Sequence, residues 1–200
     1  QMGGMVELQI VKAMEGLSDG DLLLIDQVIE NDNRVNHLEI ELDEACNQVI
    51  AKRQPTAVDL RMISTVQKTI TDLERIGDEA KKIAKTAKQL HTAGSAFTPQ
   101  IRLAHIADAV VDMLRTSLDA YARLDTIAAA QVVRQDKEVD AEFKGIMRQL
   151  ITYMMEDPRT ISQSIELMFV AKSVERIGDH AKNIAEYLVY MVKGRDVRHT

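Results

Sequence analysis

Residues 74–85 read ERIGDEAKKIAK and residues 175–186 read ERIGDHAKNIAE, with nine identities in twelve positions. Each copy sets a glycine and two carboxylates, four residues apart, inside a run with helical periodicity. Both features oppose helix formation: a mid-helix glycine costs about 1 kcal/mol relative to alanine, and like charges at i and i+4 repel by a few tenths. Their recurrence marks a duplicated unit.

Working outward, the match extends upstream at a slightly different offset. Asp21, Val28, Asp32 and Val35 align with Asp125, Val132, Asp136 and Val139, and Pro55 aligns with Pro158. The drift fits loops of unequal length between equivalent helices. Breaks fall at Ser18-Asp19-Gly20-Asp21, at Thr92-Ala93-Gly94-Ser95 and around Asp125. Each proline sits where a helix can begin: Pro55 before Thr56, which has capping-box spacing to Asp59; Pro99 after Thr98; and Pro158 after Asp157. Six helices follow: 2–17, 21–53, 56–91, 99–123, 126–156 and 158–193. The fold class read from this is all-α, two tandem three-helix bundles related by internal duplication, divided as 1–94 and 95–200. Gln1-Met2-Gly3-Gly4 lacks a capping signal, so the first helix is expected to be truncated.

The longer helices would each run roughly 50 Å at 1.5 Å per residue and need partners alongside. On the third helix Ile63, Ile70, Leu73, Ile76, Ala80, Ile83, Ala84 and Ala87 form one stripe, with Gly77 inside it as a point of close helix approach. Glu74 and Asp78 fall about a quarter turn away, on what the wheel makes an outer face. On the second helix Val28, Val35, Leu38, Leu42 and Val49 form the stripe, flanked by Asp32, Asn36, Glu39 and Asp43. Antiparallel pairing about Pro55 brings Asp32 and Asn36 level with Glu74 and Asp78. The second copy repeats this with Asp136, Asp140, Glu175 and Asp179. Converging carboxylates of this kind bind hard cations, and Lys81 and Lys182, one turn on, are alternative salt-bridge partners along the helix.

Composition narrows the function. The chain has 200 residues, 46% hydrophobic and 28% charged, enough for a sizeable core; its net charge of −6 gives no footprint for nucleic acid or an anionic membrane. A single cysteine, Cys46, precludes an internal disulfide and reads as a small core residue. No signal peptide or membrane-spanning apolar run is visible, which reads as cytosolic. Met147, Met154 and Met168 have the spacing of packing residues. There is no Glu-x-x-His, HExxH, P-loop or dinucleotide turn, so the chain reads as a non-enzyme. The histidines are scattered, and His180, beside the second motif, reads as a surface residue.

The two ERIGD segments, the AxxIA after each, the DxxVN and DxxVD segments ahead of them, and Gly194 after Tyr190-Met191-Val192-Lys193 closely resemble the PhoU family of phosphate transport system regulators. The stretch DEACNQVIAKRQP at 43–55 is similar to its proteobacterial members. This resemblance implies a cytosolic homodimer of tandem three-helix bundles that represses the phosphate-starvation response, acting between the phosphate ABC transporter ATPase and a sensor histidine kinase. It also implies metal ions held by surface carboxylates, with iron, manganese, magnesium or zinc as candidates. The implied ligands are Asp32, Glu74, Asp78, Asp136, Asp140, Glu175 and Asp179. Asn36 departs from the acidic pattern, with Glu39 available to restore the charge. The competing reading is a structural helical-repeat scaffold without metal, which leaves the preservation of ERIGD unexplained.

Overall fold

The computed structural model describes residues 1–93 and 103–194, which form six α-helices and no strand. These are α1 (Met2–Asp19), α2 (Leu22–Arg53), α3 (Ala57–Thr92), α4 (Leu103–Arg123), α5 (Thr126–Glu156) and α6 (Ile161–Lys193), with a 3₁₀ turn at Pro158–Thr160 before α6. The 94/95 division, the Thr98-Pro99 helix start and His199 lie outside the described residues.

Helix starts show the duplication atom by atom. The Asp21 carboxylate accepts from the Leu23 and Leu24 amides, and the Asp125 carboxylate accepts from those of Ile127 and Ala128. The orphan donors of α2 and α5 are thus capped alike. Asp157 caps the 3₁₀ turn through the Arg159 amide, with Pro158 at its first position. The capping box expected at Thr56 does not form: Thr56 precedes α3 without a side-chain cap, and the turn closes through its backbone carbonyl. Gly20 and Gly194 end α1 and α6 at φ 72° and 67°, a left-handed geometry that glycine adopts without Cβ strain.

Helices α1, α2 and α3 pack together, as do α4, α5 and α6, and α3 lies against α6 so that one apolar core runs through both units. All eight residues assigned to the α3 stripe are buried. On α2, Val28 and Val35 are buried, but Leu42 and Val49 are 37% and 45% exposed. The reason is length: α1 has 18 residues and α2 has 32, so the far half of α2 has only α3 beside it. Cys46, Met154 and Met168 are partly buried against the core.

The α3–α6 seam is built from equivalent contacts. Under the register that places Glu74 on Glu175, Asp72 matches Ser173 and Glu79 matches His180. His180 Nδ1 lies 2.5 Å from Asp72 Oδ1, and Ser173 stands beside Glu79, whose pKa it helps to lower. Each contact is the other with its helices exchanged, the signature of a local two-fold. His180 is therefore a half-buried seam residue and not a surface one. Asn183 donates to the same Asp72 oxygen at 3.2 Å, and Arg176 reaches Glu79 at 3.4 Å.

Candidate cation-binding grooves

Three cross-helix contacts fix the antiparallel register of α2 and α3. Lys88 meets Asp26 at 2.7 Å, Lys81 meets Asp32 at 2.7 Å, and Gln67 donates to Asp43 at 2.8 Å. Asp32 consequently stands beside Gly77, where a Cβ would lie 3.6 Å from Asp32 Oδ1 and 3.3 Å from both Val35 Cγ1 and Gln9 Oε1. Gly77 thus makes room for two polar groups as well as for a neighbouring helix. Asp32 is wholly buried. Its Oδ2 receives the Lys81 ammonium and, at 3.4 Å, the Asn36 amide, while Oδ1 has no partner.

Glu74 and Asp78 flank this buried pair. Neither lies on an open face: their side chains are 19% and 28% exposed, against 58% for Arg75 between them. The side that faces water belongs to Arg75, which bridges the two carboxylates at 3.4 and 3.5 Å. Burial, followed by the charge of Asp78, holds the Glu74 pKa above the ordinary glutamate value; Arg75 opposes the shift, and Glu39 and Asp32 add to it. The structure therefore joins Asp32, Asn36, Glu39, Glu74 and Asp78 in one electrostatic unit.

The second unit repeats the arrangement between α5 and α6. Lys182 donates to Asp136 Oδ2 at 2.7 Å, and Asp136 is buried. Lys172 holds Glu175 at 2.5 Å. Burial first, then Glu175 and Asp136, raise the Asp179 pKa, with Lys182 and Lys172 opposing. Asp140 is half-buried one turn along from Asp136. Where the first groove has Glu39, the second has Phe143, whose ring lies 5.4 Å from the Lys172 ammonium.

Two features escaped the sequence reading. Lys81 and Lys182 bind across the helix pair instead of along their own helix, a choice that only packing distances reveal. Gln9 is 4% exposed with both amide atoms unpartnered, deep in the first bundle. A wheel of α1 carries the clue, since Gln9 interrupts an apolar stripe of Met2, Val6, Ile10 and Ala13. At the matching place beside Gly178 the second bundle has Val110, Val139 and Met113.

In chemistry the grooves suit hard cations. Their donors are carboxylate oxygens, and Asp32, Glu39, Glu74 and Asp78 outnumber Arg75 and Lys81, leaving net negative charge. Among the described residues, however, no three His, Cys, Asp or Glu side chains are gathered around a single point. A cation would draw in Glu74, Asp78 and Glu39, or Glu175 and Asp179, by side-chain rotation.

The PhoU domain matches this chain twice, over residues 1–87 and 103–188. The chain is 48% identical over 198 residues to the phosphate-specific transport system accessory protein PhoU homolog of Pseudomonas putida, covering 99% of this chain and 77% of that protein. It is 48% identical over 199 residues to the accessory protein PhoU of Escherichia coli strain K12, covering 99% and 82%. Crystal structures of PhoU from Pseudomonas aeruginosa (46% identity, TM-score 0.93, 97% and 93% covered) and of the phosphate transport system regulatory protein PhoU from Streptococcus pneumoniae (25%, 0.90, 98% and 92%) share the fold. A duplicated three-helix unit, two acidic grooves at equivalent places and relatives matched along almost its whole length agree: the chain belongs to the PhoU domain family.

Proposed function

We propose that this protein is a negative regulator of the phosphate-starvation response, coupling a phosphate ABC transporter to a sensor histidine kinase, and that its acidic grooves bind hard divalent cations. The observation that carries the reading is the 48% identity, along 99% of the chain, to accessory proteins of phosphate-specific transport. Family membership favours action by protein–protein contact in the cytoplasm, as a homodimer, without catalysis. No helix among the described residues is long and apolar enough to cross a membrane, which suits a protein that meets membrane partners from one side.

The cation reading rests on charge. Glu74 and Asp179 are each held at raised pKa, first by burial and then by neighbouring carboxylates, and a bound cation relieves the second of these. Bound metal would fix Glu74, Asp78 and Glu39 on one groove and Glu175 and Asp179 on the other, with Asp32 and Asp136 behind them. The oxygen-only donors favour magnesium or manganese, with iron or zinc also accommodated. The regulatory reading is tested by deleting the gene: phosphate-starvation genes should then run at high phosphate, and normal repression would overturn it. Affinity capture with the transporter ATPase and the kinase as separate baits tests the coupling.

A further inference from the structure

The two grooves share their aspartates and ERIGD carboxylates but differ at three other places. Asn36 in the first stands where the second has Asp140, Glu39 where it has Phe143, and the bridging Arg75 is answered by Lys172 from a different position. One cross-helix contact is the same in both: a lysine from the helix carrying ERIGD, with its ammonium 2.7 Å from Oδ2 of a buried aspartate on the adjacent helix. Asp32 and Asp136 are 0% and 4% exposed, whereas the Lys81 and Lys182 side chains are 25% and 31% exposed. In each groove the anion is fixed and the cation has a route to water.

We propose that Lys81 and Lys182 are resident counter-ions, which a divalent cation must displace from Asp32 and Asp136 to enter each groove. This rests on the cation reading above and deepens it by naming what the ion competes with. A carboxylate removed from water needs a positive partner, and until a metal arrives the ammonium is that partner. Tethered on the same helix as the outer carboxylates, it competes at high effective concentration and weakens metal binding. Asp32 Oδ1, buried and unpartnered, offers an incoming ion a lone pair that the ammonium leaves unused. Each groove then has two states: closed on its lysine, or filled, with the lysine released to solvent at the groove mouth. In both states α2 stays bridged to α3, and α5 to α6.

Calorimetric titration of the full chain with Mn²⁺ separates the outcomes, using native protein, Lys81→Met and Lys182→Met. The expected result is measurable binding to native protein and, in each variant, one site tightened by about tenfold or more. Native binding with unchanged or weaker affinity in both variants would overturn the counter-ion role while leaving the cation sites in place. Absence of binding in all three proteins would overturn the cation reading and this inference with it. Should a variant fail to fold, native protein labelled with ¹⁵N-lysine and titrated with Mg²⁺ gives a second readout. The Lys81 and Lys182 ammonium resonances should move at the concentration that saturates binding; static resonances at saturation would overturn the displacement.

Discussion

Lys81 Nζ lies 2.7 Å from Oδ2 of Asp32, a carboxylate with no solvent exposure, and Lys182 stands in the same relation to Asp136. Removing the ammonium strands a buried charge, whereas removing both charges leaves a neutral contact. Lys81→Met should lower stability by about 2 kcal/mol, and adding Asp32→Asn should recover most of that loss. Urea denaturation of the two single variants and the double variant checks this. Additive losses would show that the pair does not act as a unit.

Gly77 and Gly178 occupy equivalent places but should answer alanine differently. A Cβ at Gly178 meets Val110 at 3.4 Å and Val139 at 3.5 Å, which is ordinary contact; at Gly77 it meets Val35 and Gln9 at 3.3 Å. Gly178→Ala should therefore gain most of the helix-propensity difference, about 0.5–1 kcal/mol, and Gly77→Ala clearly less. Thermal unfolding of both variants is the check, and the reverse order would contradict the packing described.

These glycines also show what the sequence disclosed and what it withheld. Six helices, their duplication, the α3 stripe and the level at which Asp32 meets the ERIGD helix were all readable, because period and spacing fix which face of a helix is apolar and which residues pair across a short turn. The wheel put Glu74 and Asp78 on the outer face, outside the core, but could not show how far the neighbouring helix and Arg75 cover them. It also placed Leu42 and Val49 in a core that α1 is too short to complete. His180 looked peripheral because its partner, Asp72, is more than a hundred residues away in the chain. Contacts between the duplicated units leave no periodic trace.

Gln9 buries an amide with neither atom partnered, where the second bundle places apolar side chains. Gln9→Leu should raise stability by about 1 kcal/mol, since a desolvated polar group is replaced by one needing no partner. Chemical denaturation tests this. A loss of similar size would mean that the amide is satisfied through an ordered water.

Acidification should act on the grooves and the seam with opposite signs. Glu74 has its folded-state pKa raised, first by burial and then by Asp78. Its contribution to stability is fully present below the unfolded value, near ~4.3, and is lost as pH rises through the folded value. Glu74→Gln should thus exceed native stability at pH 7.5 by a few tenths of a kcal/mol, a margin that closes on acidification. At Glu79 burial acts to raise the pKa, but the hydrogen bond from Lys82, the adjacent Ser173 hydroxyl and the charges of Lys82 and Arg176 outweigh it and hold the pKa low. That stability is present above the unfolded value and is lost as pH falls through the folded one. Glu79→Gln should therefore be less stable than native at pH 7.5 by about 1 kcal/mol, and the deficit should shrink below ~4.3. Unfolding curves from pH 4 to 8 read both effects.

The most direct test of the central claim, that the acidic grooves serve phosphate regulation, is expression of a phosphate-starvation reporter at high phosphate in a strain lacking this protein. The strain is complemented either with the native chain or with a variant carrying Glu74→Gln, Asp78→Asn, Glu175→Gln and Asp179→Asn, verified as helical and cooperatively folded. The account predicts that the native chain silences the reporter and that the variant, at equal abundance, leaves it active. Full silencing by the folded variant would contradict it.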